Sequence, residues 1–233
     1  MLAAIGCKEL PDPQLIIDKA IETHGVSKFR DTKTIFTFRN KEYALWYSEG
    51  KKVYSRIFED STGVTKDILY NSTSLERYKN DSLVDLSDEW KGRYAESVNS
   101  VLYFFQLPYG LNDLAVQKKY LDEVYLFKKP YHKIQVTFKQ EGGGVDYQDV
   151  FIYWIHRDDF TLDYLAYSYQ TDGGGTRFRQ AINRRNVEGV IVQDYINFKG
   201  KSKNLSVEKH DEFFENGELT ELSRIINEDV RID

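Results

Sequence analysis

From Thr34 onward this chain comes in short, aromatic-rich runs separated by turn chemistry, and that rhythm limits what it can fold into. Runs at 35–39, 43–47, 53–58, 67–70 and 74–78 are each long enough for one strand. Asn40-Lys41, Glu49-Gly50 and Thr62-Gly63 supply the turns between them. A strand about every ten residues suits an antiparallel meander. The 17 Tyr, 14 Phe and 3 Trp make up 15% of the chain, and such side chains favour half-buried pleated surfaces.

Two helices punctuate the strands. The first is expected over 14–24, with Ile17, Ala20, Ile21 and His24 on one face and Gly25 as its stop. The second is opened by Ser87 as a cap and by Asp88 and Glu89, which complement the positive end of the helix dipole; Pro108 ends it. Its stripe is Trp90, Tyr94, Val98, Leu102 and Phe105, widened by Tyr103 and Phe104. Strands then resume at about 120–127, 131–139, 148–157, 162–170, 176–184 and 189–199, followed by a helical segment at 206–214 and a last strand at 219–226. Ile134, Val136 and Phe138 alternate with polar neighbours, whereas 150–155 and 164–169 are apolar on both faces. Strands of the second kind are covered on both sides or belong to a curved sheet with a filled concavity. The expected fold is mainly β (α+β): one large curved antiparallel sheet, an open half-barrel, with helices packed into or against its concave face. Residues 14–233 are expected to form a single domain.

The beginning of the chain adds a location. Small and apolar residues, Leu2-Ala3-Ala4-Ile5-Gly6, lead to the only cysteine, Cys7, and the chain turns polar after it. Such a run resembles the tail of a lipoprotein signal, in which the cysteine thiol is acylated and becomes the new N-terminus. Residues 1–6 would then be a signal remnant, shortened at its charged and apolar start, and 7–13 a linker held extended by Pro11 and Pro13. An incidental cysteine is the alternative. A single cysteine excludes an intramolecular disulfide and a cysteine-built zinc site.

Several stretches carry a family resemblance. Residues 97–111 (SVNSVLYFFQLPYGL), 136–144 (VTFKQEGGG), Tyr153-Trp154-Ile155, 164–169 (YLAYSY) and Arg177-Phe178-Arg179 resemble an uncharacterised family of bacterial envelope lipoproteins. In architecture that family is similar to the LolA/LolB lipoprotein carriers, in which helices close an open curved sheet over an apolar cavity. The resemblance implies an outer-membrane-anchored lipoprotein of a Gram-negative cell envelope, with its domain on the periplasmic or surface face. It supplies no catalytic residues, and a shared fold does not establish lipid transport.

The candidate sites follow. Trp90, Tyr94, Val98, Leu102, Phe105, Phe138, Trp154 and Tyr167 are the expected lining of a cavity for an acyl chain, lipid or lipidated peptide. Plain core packing is the competing account of the same stripe. Arg177 and Arg179 share a strand face and suit an anionic headgroup or carboxylate. Ion pairing of the cluster Arg177, Arg179, Arg184 and Arg185 with acids in nearby turns is the alternative. The glycine runs 142–144 and 173–175 lie between strands, so hairpin turns explain them better than phosphate-cradling loops. The acids Glu141, Asp146, Asp149, Asp158, Asp159 and Asp172 follow no calcium-loop spacing. His24, His132, His156 and His210 are scattered, with no zinc motif, and no nucleophile elbow is present. No metal, cofactor or catalytic residue is expected. A net charge of −5 with interspersed signs speaks against a nucleic-acid partner. The expected function is a membrane-anchored protein binding an apolar ligand in a half-barrel cavity. The alternatives are a structural or protein-interaction lipoprotein with a filled core, and a hydrolase whose carboxylates meet only in space.

Overall fold

A computed structural model describes residues 10–141, 148–170, 173–203 and 205–233. The first helix, α1 (Pro13–His24), starts where Asp12 accepts the Gln14 N–H at 2.8 Å and where Pro13 supplies a helical φ. It stops at Gly25, whose φ of 64° lies in the left-handed region. A β-carbon there would also stand 2.1 Å from the Gly189 carbonyl oxygen, so the position excludes side chains twice over.

Six strands follow: β1 (Thr34–Phe38), β2 (Lys41–Ser48), β3 (Lys51–Asp60), β4 (Gly63–Tyr70), β5 (Ser74–Lys79) and β6 (Ser82–Leu83). Helix α2 (Asp88–Phe105) interrupts them. Ser87 has the extended backbone of a cap, but its side chain makes no capping hydrogen bond. The chain then forms β7 (Val116–Leu126), β8 (Lys129–Phe138), β9 (Phe151–His156), β10 (Leu162–Tyr169), β11 (Gly175–Val187) and β12 (Val190–Lys199). It ends with α3 (His210–Glu215), β13 (Thr220–Ile225) and β14 (Glu228–Ile232). Of the two glycine runs, 142–144 lies outside the described residues. Gly173 and Gly174, both at positive φ, lead from the β10 side into β11.

The expected single half-barrel is corrected here. The strands divide into two separate open sheets of seven, ordered β14-β1-β2-β3-β4-β5-β6 and β13-β12-β11-β10-β9-β8-β7, each with an edge strand at either side. Every pairing is antiparallel, and neither sheet closes on itself. The physical reason is α2. The ladder stops at Leu83 and restarts at Val116, and alternation along strands does not say whether two meanders join. The last strand then crosses back. After β13 pairs with β12, β14 pairs with β1, placing Ile232 opposite Thr34. Only Val230 and Ile232 are apolar in that five-residue strand, so no periodicity announces it.

Two cores result. The larger fills the space between the sheets and takes in Phe36, Leu45, Tyr54, Val98, Leu102, Ile134, Tyr153 and Leu165. The smaller lies on the opposite face of the second sheet, where Ile152, Trp154, Ala166 and Phe178 pack with Phe198 and Phe214 beneath the α3 segment. This double cover explains why 150–155 and 164–169 are apolar on both faces: central strands are buried from two sides.

His24 locks α1 onto this frame. It is fully buried, and its Nε2 accepts the Leu162 N–H at 3.0 Å. Burial, reinforced by the Arg184 charge, lowers its pKa from 6.5 to about 4. The neutral ring is therefore the folded form, and protonation favours unfolding. Stability is complete above the unfolded value of 6.5 and falls as pH drops from 6.5 towards 4. The full loss is about 3 kcal/mol. Urea midpoints of the wild type and of His24→Gln at pH 7.5 and pH 4.5 should converge by that order on acidification. Curves that stay parallel would show that His24 does not titrate with unfolding.

Candidate functional site

Helix α2 occupies the space between the sheets, because its aromatic side chains leave in opposed directions. The Phe105 ring stacks on Phe36 of the first sheet, with centroids 3.9 Å apart. Phe104 meets Tyr167 of the second sheet at 5.1 Å. The Tyr103 and Tyr153 hydroxyls stand 3.0 Å apart, and burial holds both phenols well above their usual pKa, so both are neutral. Gln106 donates to the Tyr54 hydroxyl. Val98 and Leu102 are wholly buried.

This filling overturns the expected apolar cavity under a half-barrel. No single curved sheet encloses a hollow, and the centre of the inter-sheet layer is the helix itself. What remains beside α2 is a solvent-open cleft of about 1570 Å³ with aromatic walls and a charged rim. Among the described residues six cationic side chains line it: Lys52, Arg177, Arg179, Lys199, Lys201 and Lys203. The carboxylates of the same walls, among the described residues, are Glu96, Asp113 and Asp149.

The residues singled out from sequence do not form one lining. Val98 and Leu102 are core, and Phe105 and Phe138 pack into it from its edge, Phe138 against Phe151 at 5.8 Å. Tyr94 turns to the first sheet, where the Arg77 guanidinium lies 3.3 Å from its ring centroid. Trp90 is exposed and stacks on Tyr94. Trp154 belongs to the smaller core, on the far face of the second sheet. Of the eight, Phe105, Phe138 and Tyr167 border the cleft. Cys7 lies outside the described residues, as do Asp146 and Asp172.

The arginine cluster separates into two kinds. Arg184 pairs with Asp163 at 2.6 Å and Arg185 with Asp194 at 3.3 Å. Arg177 and Arg179 point into the cleft wall instead. Arg177 donates to the Thr176 carbonyl and lies 5.0 Å from the Tyr169 centroid. Arg179 is 8% exposed, stacks 3.6 Å from the Phe104 centroid and donates to the Tyr167 hydroxyl at 3.0 Å. Its Nε is buried without a hydrogen-bond partner. Sequence reasoning missed Phe104 as the partner of Arg179, and it missed Lys199, Lys201 and Lys203. Their alternation with Gly200 and Ser202, from the last residue of β12 onward, was the available signal. Among the described residues, no three His, Cys, Asp or Glu side chains converge as metal ligands.

Comparison with known proteins agrees with this architecture. The profile of a family of unknown function (DUF6503) matches residues 8–227. A search of curated proteins finds no match. Among solved structures, a DUF1329 family protein from Desulfovibrio piger superposes with a TM-score of 0.54 at 10% identity, over 96% of this chain and 94% of that one. A LolA superfamily protein from Nitrosomonas europaea superposes with a TM-score of 0.51 at 12% identity, over 95% and 94%. At such identities the likeness is one of fold. The fold thus resembles that of the LolA group, as the sequence stretches imply.

Proposed function

We propose that this chain, which belongs to the family of unknown function DUF6503, is a protein-interaction lipoprotein of the bacterial envelope with a filled core and no enclosed ligand. The observation that carries this reading is the position of α2. Its aromatic side chains bridge both sheets, so the volume that a carrier would leave open is occupied by the protein's own side chains. Interaction then falls to the outside of the molecule: the edge strands of two open sheets and the charged rim of the cleft.

The envelope location is supported by the fold likeness to a LolA superfamily protein and by the small apolar residues leading to Cys7. In this reading Cys7 carries the lipid anchor, at the outer membrane of a Gram-negative cell. In the same reading residues 7–13 are the linker, and 14–233 are the single interacting domain. Stable attachment needs more than one acyl chain, which a triacylated cysteine provides.

Native mass spectrometry of the Cys7→Ser chain, purified from a bacterial periplasm and followed by solvent extraction, tests the filled core. The expected outcome is a single apo mass that stays unchanged after incubation with lipid extract. A stoichiometric lipid released on denaturation would overturn the reading. Mass analysis of the N-terminal peptide of the unsubstituted chain tests the anchor, and an unmodified Cys7 thiol would refute it.

A further inference from the structure

We infer that the cleft beside α2 docks an acidic segment of a partner protein, one of whose carboxylates is received by Arg179. The inference rests on the interaction reading above and names the chemistry of the partner. The argument starts from an imbalance. The chain as a whole has a net charge of −5, yet among the described residues six cations face three carboxylates around this one cleft. Elsewhere every buried arginine or lysine is neutralised, Arg56 by Asp67 and Lys133 by Asp211, and the half-buried arginines Arg77 and Arg184 pair with Asp67 and Asp163. Among the described residues, none of the six cations at the cleft has a carboxylate within ion-pairing distance.

Arg179 is the centre of that imbalance. A buried guanidinium is costly unless it is paired and hydrogen-bonded. Among the described residues Arg179 makes one hydrogen bond, to the Tyr167 hydroxyl, and leaves its Nε unspent. Phe104 and Tyr167 hold the planar group from the side, which fixes its orientation without using its donors. A fork held flat in that way matches a carboxylate, which it can bind in a bidentate manner. The remaining cations are spread out. Lys199 at the end of β12 and Lys201 and Lys203 just beyond it are exposed, and Arg177 stands two residues before Arg179 on the same strand face. Spaced point charges suit several carboxylates along an extended chain better than one compact, multiply charged group. Charge complementarity of this kind raises the association rate and selects the partner.

The test is fluorescence anisotropy of the full chain, carrying Cys7→Ser, with fluorescein-labelled hexaglutamate at low salt and hexalysine as the control. Hexaglutamate is expected to bind saturably and hexalysine not at all. Arg179→Gln is expected to weaken binding about tenfold or more, and Arg179→Lys by less, because it keeps the charge and loses the fork. The double variant Lys201→Gln/Lys203→Gln alters exposed side chains only, and is expected to weaken binding about threefold. If Arg179→Gln loses its circular dichroism, the double variant decides. Absence of hexaglutamate binding overturns the inference, as does binding that neither variant weakens. So does displacement of the peptide by inorganic phosphate at matched ionic strength, or binding of phosphatidylglycerol vesicles in place of the peptide. A lipid found by native mass spectrometry defeats the filled-core reading and leaves this result standing. A clean apo mass with no peptide binding defeats the inference alone.

Discussion

Replacing Asp67 with alanine is expected to destabilise the chain by about 3–5 kcal/mol, a large part of what holds a domain of this size folded. Asp67 is wholly buried on β4, and the strand register puts Arg56 of β3 on one side of it and Arg77 of β5 on the other. Its Oδ2 accepts from Arg56 Nη2 at 2.6 Å and from Arg77 Nη2 at 2.9 Å, while Oδ1 accepts from Arg77 Nε at 2.6 Å. Helix α2 closes the arrangement: Arg56 Nη1 donates to Ser97 Oγ at 2.8 Å, and Arg77 lies over the Tyr94 ring. Removing the carboxylate leaves two guanidinium groups facing each other under a helix, and among the described residues neither pairs with another acid. The cost is that of uncompensated charge, so replacing all three by apolar residues of similar volume should recover most of it. Urea unfolding measures both. A loss below about 1 kcal/mol for Asp67→Ala would mean that water reaches the two arginines and that the layer under α2 is open.

The same rung shows what a sequence can and cannot disclose. Helices α1 and α2 were legible because their signals are local: an apolar face and the Gly25 stop for one, and the acidic first turn and Pro108 for the other, although Pro13, read as part of an extended linker, opens α1 behind the Asp12 cap. Most strands were legible because turn residues and aromatic runs are local as well. The division into two sheets was not, since it depends on α2 separating the partners of β6 and β7, and pairing is a long-range property. Arg56, Asp67 and Arg77 are isolated charges until register aligns them. Likewise, four arginines between 177 and 185 look equivalent in the sequence. Register gives Arg184 and Arg185 acids on β10 and β12 and leaves Arg177 and Arg179 facing aromatic rings. The candidate cleft was therefore half visible, through a basic pair whose surroundings no spacing encodes.

Trp154→Ala is expected to cost about 3–5 kcal/mol, and the way that loss divides locates its role. Trp154 is wholly buried on β9, with its ring 5.6 Å from Phe178. Its Nε1 donates to Asp211 Oδ2 at 3.1 Å, and the same carboxylate takes two bonds from Lys133 Nζ, at 2.8 and 3.0 Å. The indole thus fills the smaller core and holds the acid that neutralises a buried lysine. Alanine removes both contributions, whereas Trp154→Phe keeps most of the packing and loses only the donor, for about 1–2 kcal/mol. Because this core lies across the second sheet from α2, Trp154→Phe should leave hexaglutamate binding unchanged while lowering the urea midpoint. Arg179→Gln should weaken the binding. A Trp154→Phe chain that unfolds normally yet loses the peptide would couple the two faces of the sheet, and would return Trp154 to the site where the sequence alone had placed it.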